Sequence, residues 1–382
     1  MVIHKILLNF ANCIMIIAFD AKRAFHNYRG LGNYSRDYMR LANIYAPENQ
    51  YLLFNPKPSK LNLMTSLDVT QQEVLPKGLW RHFPSIWRSV ACNIDLNNYH
   101  ADIYHGLSAE IPVAISNKIK KIVTVHDAIF IRYPRLYSLS YRTLFRQKVI
   151  YACQNADIIV AVSEQTKQDC IQFFGADEKK IKVIYQGCSN IFRQTVSAEL
   201  TEQIKNKYAL PHQFLLDVGA IEPRKNLKNL LLAMSIAKTN LPLVVIGGKT
   251  RYAEQMKHLA KSLKLDVMFI HNALFSDLPA IYHSAHALIY PSVFEGFGIP
   301  IIEGLCCQLP VLTSSGSCFA ETAGNAALYA DPLSPDDIAD KLTNIISNDN
   351  LRRTLINNAA SQADKFSDHI VGNNIRQLYL SL

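Results

Sequence analysis

Short apolar runs recur along the chain, each followed by a polar or glycine-bearing turn and then by a longer stretch with helical periodicity. The runs fall at 14–19, 102–104, 122–125, 158–162, 183–185, 214–218, 243–246, 267–270, 288–290 and 311–313. Strands alternating with helices in this rhythm predict parallel sheets built from βαβ units. The rhythm breaks across 189–212, a polar and charged stretch that ends at Pro211. With 382 residues the chain exceeds what one core usually supports. The pattern therefore predicts an α/β protein of two doubly wound, Rossmann-like domains, at 15–190 and 210–360, with an amphipathic segment, 361–382, packing back toward the first. No apolar run reaches 18 residues, so no membrane-spanning helix is expected.

Ligands of open α/β sheets bind beyond the carboxyl ends of the strands. The polar features of this chain collect there. Gly30 and Gly32 follow the first run, His105 the second and His126 with Asp127 the third. In the second half, Glu222, Arg224 and Lys225 follow 214–218, Gly247 and Gly248 follow 243–246, and Glu295 follows 288–290. An interdomain cleft is the expected consequence.

The most informative stretch is Tyr-Pro-Ser-Val-Phe-Glu-Gly-Phe-Gly-Ile-Pro-Ile-Ile-Glu-Gly at 290–304. Gly298 opens a turn and Pro300 suits a helix start, which puts Glu295 in a strand-to-helix loop and Glu303 inside the helix. At helical rise, eight positions span roughly 12 Å, too far for both acids to act on one atom. The spacing suits two acids holding the ends of a long ligand whose anionic middle rests on a helix N-terminus. A nucleotide-diphosphate sugar has that shape. Arg224 and Lys225 lie at another strand-to-helix turn, where cations oppose the helix macrodipole unless an anion joins them. Gly30-Leu-Gly32 is either a tight turn or a close backbone approach to pyrophosphate. His126 is either a satisfied structural residue or a hydrogen-bond partner for a bound sugar, and His105 is the lesser candidate. No Asp-x-Asp stands at a strand end and the histidines show no metal-ligand spacing, so no metal site is expected.

The formal net charge is +9, unevenly spread. Between 118 and 148 lie Lys118, Lys120, Lys121, Arg132, Arg135, Arg142, Arg146 and Lys148, with Asp127 the sole acid. Phe130, Tyr133, Tyr137, Tyr141 and Phe145 interleave with them. This is either a solvated basic helix or a contact with an anionic membrane. No nucleic-acid-binding motif accompanies the charge, and no nucleic-acid partner is expected. The eight cysteines form no Cys-x-x-Cys pair and read as reduced core residues of a cytoplasmic protein. Met15 directly precedes a clean first strand, so 1–14 reads as a dispensable extension.

These residues resemble the retaining glycosyltransferases of family 4, also called glycosyl transferases group 1. The likeness rests on the 291–303 run with Glu-Pro-Arg-Lys-Asn at 222–226. It continues through Pro-Val-Leu-Thr-Ser-Ser at 310–315, Ala-Glu-Thr-Ala-Gly at 320–324 and Ala-Asp-Pro at 330–332. In the first half Gly30-Leu-Gly32, His126-Asp127 and Val-Ser-Glu at 162–164 fit as well. The resemblance implies a GT-B fold, two Rossmann-like domains facing across a cleft, with the donor held mainly by the second. It implies that Glu295 binds donor-sugar hydroxyls and Glu303 the ribose, and that Arg224 and Lys225 hold the diphosphate. Backbone amides at Phe297 and Gly298 would assist, His126 would contact the sugar, and Gly30 and Gly32 would line the diphosphate pocket. It further implies metal-independent transfer with retention and no cofactor besides a GDP-sugar or UDP-sugar donor.

Tyr-His-Gly-Leu-Ser-Ala-Glu-Ile-Pro at 104–112 and Thr-Val-His-Asp-Ala-Ile-Phe-Ile-Arg-Tyr-Pro at 124–134 resemble mannosyltransferase-like members of bacterial surface-polysaccharide (lipopolysaccharide or capsule) assembly. That likeness implies a hexosyltransferase with a lipid-linked or oligosaccharide acceptor, cytoplasmic and peripheral to the inner face of the membrane. The rival readings are a non-catalytic nucleotide-sugar-binding module and another sugar-nucleotide enzyme of the same fold.

Overall fold

A computed structural model describes residues 14–61, 63–64 and 71–382. The extension expected at 1–14 lies outside the described residues except for its last position. The chain divides into two units: residues up to Tyr185 together with Val371–Leu382, and Gln186–Ile370.

The first unit holds a seven-stranded sheet. Its strands are β1 (Ile16–Asp20), β2 (Gln50–Phe54), β3 (Gln71–Val74), β4 (Ile103–Gly106), β5 (Lys120–Val125), β6 (Ile158–Ala161) and β7 (Ile181–Val183). The spatial order is β3-β2-β1-β4-β5-β6-β7. Every pairing is parallel. Strands buried on both faces read as continuous apolar runs, which is why β1, β5 and β6 were legible. β2 and β3 were not expected. β3 is Gln-Gln-Glu-Val at the sheet edge, half solvated and without an apolar signature. The closing helix, Asp368–Leu380, is bound into this unit by a hydrogen bond between Tyr379 Oη and His105 Nδ1 (3.1 Å) and by the Arg376–Glu48 ion pair (3.2 Å). His105, fully buried, also meets Thr124 Oγ1 at 2.9 Å and is a satisfied core residue.

The second unit holds a six-stranded parallel sheet of β8 (Leu215–Val218), β9 (Leu243–Ile246), β10 (Val267–Ile270), β11 (Ala287–Tyr290), β12 (Val311–Ser314) and β13 (Ala327–Ala330). Its order is β10-β9-β8-β11-β12-β13. β13, a short edge strand, was also not expected. In both sheets the order reverses beside the first strand, between β1 and β4 and between β8 and β11. The loops leaving those strands diverge to opposite faces and open a crevice, the usual ligand position in this class.

Among the described residues, no helix is long and apolar enough to cross a membrane.

Candidate active site

Arg224, Lys225 and Glu295 converge at the switch point of the second sheet. After β8 the chain makes a short 3-10 turn, Pro223–Lys225, and starts a helix at Leu227. Asn226 joins the two with φ +65°, a left-handed conformation that asparagine tolerates. Its buried amide donates to Pro291 O (3.0 Å) and Pro332 O (2.7 Å), so one side chain fastens this turn to the loop after β11. That second loop, 291–298, is held from its other side by Ser317. The Ser317 hydroxyl donates to Glu295 O (2.8 Å) and accepts from Glu295 N (3.2 Å). Thr322 Oγ1 donates to Phe297 O at 2.6 Å. Gly298, with φ +97°, caps the helix Ile299–Cys306, whose first turn carries no acid.

Two cations share one carboxylate between the loops. Arg224 Nη1 lies 2.7 Å from Glu295 Oε2, and Lys225 Nζ lies 2.6 Å from Glu295 Oε1. Arg224 also meets Glu222 Oε1 and Phe294 O, each at 2.7 Å. The Lys225 ammonium donates to Tyr290 Oη (2.6 Å), and that hydroxyl donates to Glu295 Oε1 (3.1 Å). The three side chains are nearly buried, with 12%, 13% and 10% exposed. Burial raises the Glu295 pKa, but the charges and hydrogen bonds of Lys225 and Arg224 outweigh it and bring it down to about 2. The anion that the paired cations require is therefore supplied by the chain itself.

Glu303 occupies a different environment. It is buried inside the helix Ile299–Cys306 and accepts a hydrogen bond from Tyr282 Oη (2.7 Å). Burial without a cation pushes its pKa up to about 7, partly offset by that hydrogen bond. Asp217, on β8, is also raised to about 7 by burial, against the charge of Lys225. Two carboxyls of the second unit thus sit near neutrality while Glu295 stays ionised, the kind of divergence that marks functional sites.

In the first unit, His126 follows β5. Burial lowers its pKa to about 4, so the ring is neutral, and Nε2 donates to Leu107 O at 2.9 Å. Tyr34 packs edge-on against it with ring centroids 4.5 Å apart. Gly30 and Gly32 form the first turn of the helix Gly30–Tyr45. A Cβ on Gly32 would lie 1.6 Å from Asn27 O, so the bare backbone there is required by the chain's own packing. A Cβ on Gly30 would meet nothing within 4 Å, which leaves that backbone open to approach.

Sequence reasoning missed Tyr290, Tyr282, Asn226, Ser317 and Asp217. Tyr290, the last residue of β11, was marked by its place at a strand end. Tyr282 and Ser317 act through contacts distant in sequence, while Asp217 lay within an apolar run and Asn226 within Glu-Pro-Arg-Lys-Asn, where the role of neither was legible.

Residues 201–362 match the glycosyl transferases group 1 family, and residues 66–189 match glycosyltransferase family 4. One match lies in each half of the chain, and both are to glycosyltransferases. Among relatives, it is 28% identical over 280 residues to O-antigen chain mannosyltransferase B of Escherichia coli, covering 71% of this chain and 72% of that one. It is 31% identical over 212 residues to O-antigen chain mannosyltransferase RfbU of Salmonella typhimurium, covering 55% and 56%. Against the serotype-specific mannosyltransferase WbdA of Escherichia coli it is 27% identical over 330 residues, covering 80% of this chain but 40% of that protein. The fold is the GT-B fold of solved glycosyltransferases. HepE of Anabaena, solved with UDP-glucose, superposes with a TM-score of 0.77 at 16% identity, over 97% of this chain and all (100%) of that one. WaaG, a glycosyltransferase of lipopolysaccharide biosynthesis, superposes with a TM-score of 0.69 at 17% identity, over 94% and 98%.

Proposed function

We propose that this glycosyltransferase moves a hexose, with mannose the favoured candidate, from a GDP- or UDP-sugar to a lipid-linked or oligosaccharide acceptor in surface-polysaccharide biosynthesis, with retention of configuration. The observation that carries the reading is the Arg224–Glu295–Lys225 cluster. An ionised carboxylate clamped by two nearly buried cations is a charge placeholder. A donor diphosphate entering the crevice offers more negative charge than Glu295 and displaces it from the cations. Glu295 is then released to accept hydrogen bonds from the sugar hydroxyls. Glu303, poised near neutrality, gains as an ionised acceptor when ribose hydroxyls donate to it. The O-antigen mannosyltransferase relatives favour mannose, and the HepE complex favours a nucleotide sugar.

In the proposed reaction the bond between the anomeric carbon and the leaving diphosphate oxygen breaks as the acceptor oxygen bonds to the same face. The acceptor proton passes to the departing diphosphate. Arg224 and Lys225 stabilise the charge that develops there, so the proposal requires neither a metal nor a side-chain nucleophile. Acceptor recognition is assigned to the carboxyl ends of β1, β4 and β5, where Gly30 and His126 lie. The basic stretch 118–148 is assigned to a peripheral contact with the inner face of the cytoplasmic membrane. The ring of Tyr137, just before the helix Leu139–Asn155, stacks in a ladder with those of Tyr141 and Phe145 within it (5.6 and 5.4 Å), and Arg135, Arg142 and Arg146 have no acidic partner among the described residues.

The test is a thermal-shift screen of UDP, GDP, ADP and their sugars. It is followed by turnover with the stabilising donor in EDTA and by assignment of the product's anomeric configuration. A ligand at 100 times its Kd adds about 2.7 kcal/mol, which is readily seen. Inverted product, or no stabilisation by any nucleotide, overturns the proposal.

A further inference from the structure

We infer that the helical run 78–98 of the first unit is an interfacial anchor that seats an exposed apolar edge in an anionic bilayer surface. The run comprises Gly78–His82, Pro84–Ile86, a wide turn at Trp87–Ala91 and the helix Cys92–Asn98. Its inner face is fixed. Trp87, Ala91, Cys92 and Leu96 are buried in the core, and Trp87 stacks on Phe54 with ring centroids 5.6 Å apart. A helix packed on a sheet ordinarily turns a polar face outward. Here the outward face is apolar as well. Ile86, Val90 and Ile94, four apart, are all exposed, at 52%, 48% and 56%, and Leu79 and Phe83 continue the edge toward the start of the run. Exposed Val113 lies against the same edge, because its N–H donates to Ser89 O (2.8 Å) and its carbonyl accepts from Asn93 Nδ2 (2.7 Å).

Charge selects the occupant. No Asp or Glu occurs between Glu73 and Asp95, whereas Lys77, Arg81, His82 and Arg88 do. Asp95 accepts from Trp87 Nε1 at 2.7 Å, and Arg88 is held by Asp20 and Glu110. Glu110 also binds Lys148 at 3.1 Å, which ties this run to the basic helix Leu139–Asn155. The edge's own run therefore carries the exposed cations Lys77 and Arg81, and Arg146 is exposed on the helix that Glu110 ties to it. A second copy docking here would set like charges face to face. An anionic lipid surface satisfies both features, with side chains buried in the headgroup boundary and cations among the lipid phosphates. The contact proposed above through 118–148 is electrostatic; this run adds the apolar insertion that makes it persist in salt.

The inference takes its purpose from the lipid-linked acceptor, but its test uses neither donor nor acceptor. The full chain is sedimented with phosphatidylcholine vesicles containing roughly one third phosphatidylglycerol, and with phosphatidylcholine alone. The expected result is preferential binding to the anionic vesicles that persists in part at high salt. Ile86→Ser, Val90→Ser and Ile94→Ser combined lower the partition coefficient roughly 10²-fold. Lys77→Glu with Arg81→Glu abolishes the preference for anionic lipid. All five positions are exposed, and unchanged circular dichroism and nucleotide stabilisation confirm that the variants fold. The inference is overturned if the triple variant sediments like the parent. It is also overturned if the parent is a dimer that the triple variant dissociates while neither binds vesicles. Loss of nucleotide stabilisation in the parent chain would instead count against the proposed function.

Discussion

Replacing Glu295 by Gln removes the charge shared by Arg224 and Lys225 while keeping the side chain's size. The two cations bring the Glu295 carboxyl down to about 2 from an ordinary 4.5, about 3 kcal/mol of preference for the ionised form in the folded state. The variant leaves two nearly buried cations without the carboxylate they share, Arg224 keeping its pair with Glu222, so it should lose about 3 kcal/mol of stability at neutral pH. Because the folded pKa is depressed, the parent's advantage is fully present above pH 4.5 and fades as pH falls toward about 2. The decisive measurement is denaturant unfolding with and without inorganic pyrophosphate or the cognate nucleoside diphosphate. If those cations are the diphosphate site, the added anion occupies the position Glu295 leaves, and it stabilises Glu295→Gln more than it stabilises the parent. Transfer is lost in the variant even so, because the sugar hydroxyls lose their acceptor. Equal stability of the two proteins at pH 7, or an anion effect no larger in the variant than in the parent, would refute the placeholder reasoning.

Lys225→Ala should keep its fold and lose turnover by roughly 10²-fold or more, on the scale of removing one electrostatic stabiliser; near-normal kcat with the measured donor counts against the assignment. Glu303→Gln should be more stable than the parent above pH 7, by up to about 3 kcal/mol. The raised carboxyl pKa makes the parent lose stability as pH rises from 4.5 through about 7, and glutamine retains an acceptor for Tyr282 without ionising. Its nucleotide affinity should fall at the same time, and a pH-independent difference in Tm between the two proteins would exclude this account. Gly32→Ala should cost about 1–3 kcal/mol or more, because its Cβ meets the Asn27 carbonyl. Gly30→Ala should leave the Tm unchanged and raise the donor KM if a diphosphate approaches that backbone, so the pair separates a packing glycine from a ligand-facing one.

Much of the fold was legible because its central strands are short, apolar and buried on both faces. The runs at 243–246 and 267–270 coincide with β9 and β10. Edge and partly polar strands escaped, as at β3, because a strand solvated on one side needs no apolar run. The place of Glu295 in a loop and of Glu303 in a helix was equally legible, since strand, glycine turn and helix follow one another within fifteen residues.

What the sequence alone determined is therefore local: which residues leave a strand, which begin a helix, and that acids, cations and glycines gather at strand ends. Tertiary structure decided which of these meet. Arg224 and Glu295 are 71 positions apart and touch only because β8 and β11 pair side by side, with β9 and β10 laid on the far side. That non-sequential order, set by the long-range packing of helices on the sheet, gives one glutamate a pKa near 2 and, by burying the other away from any cation, leaves it near 7.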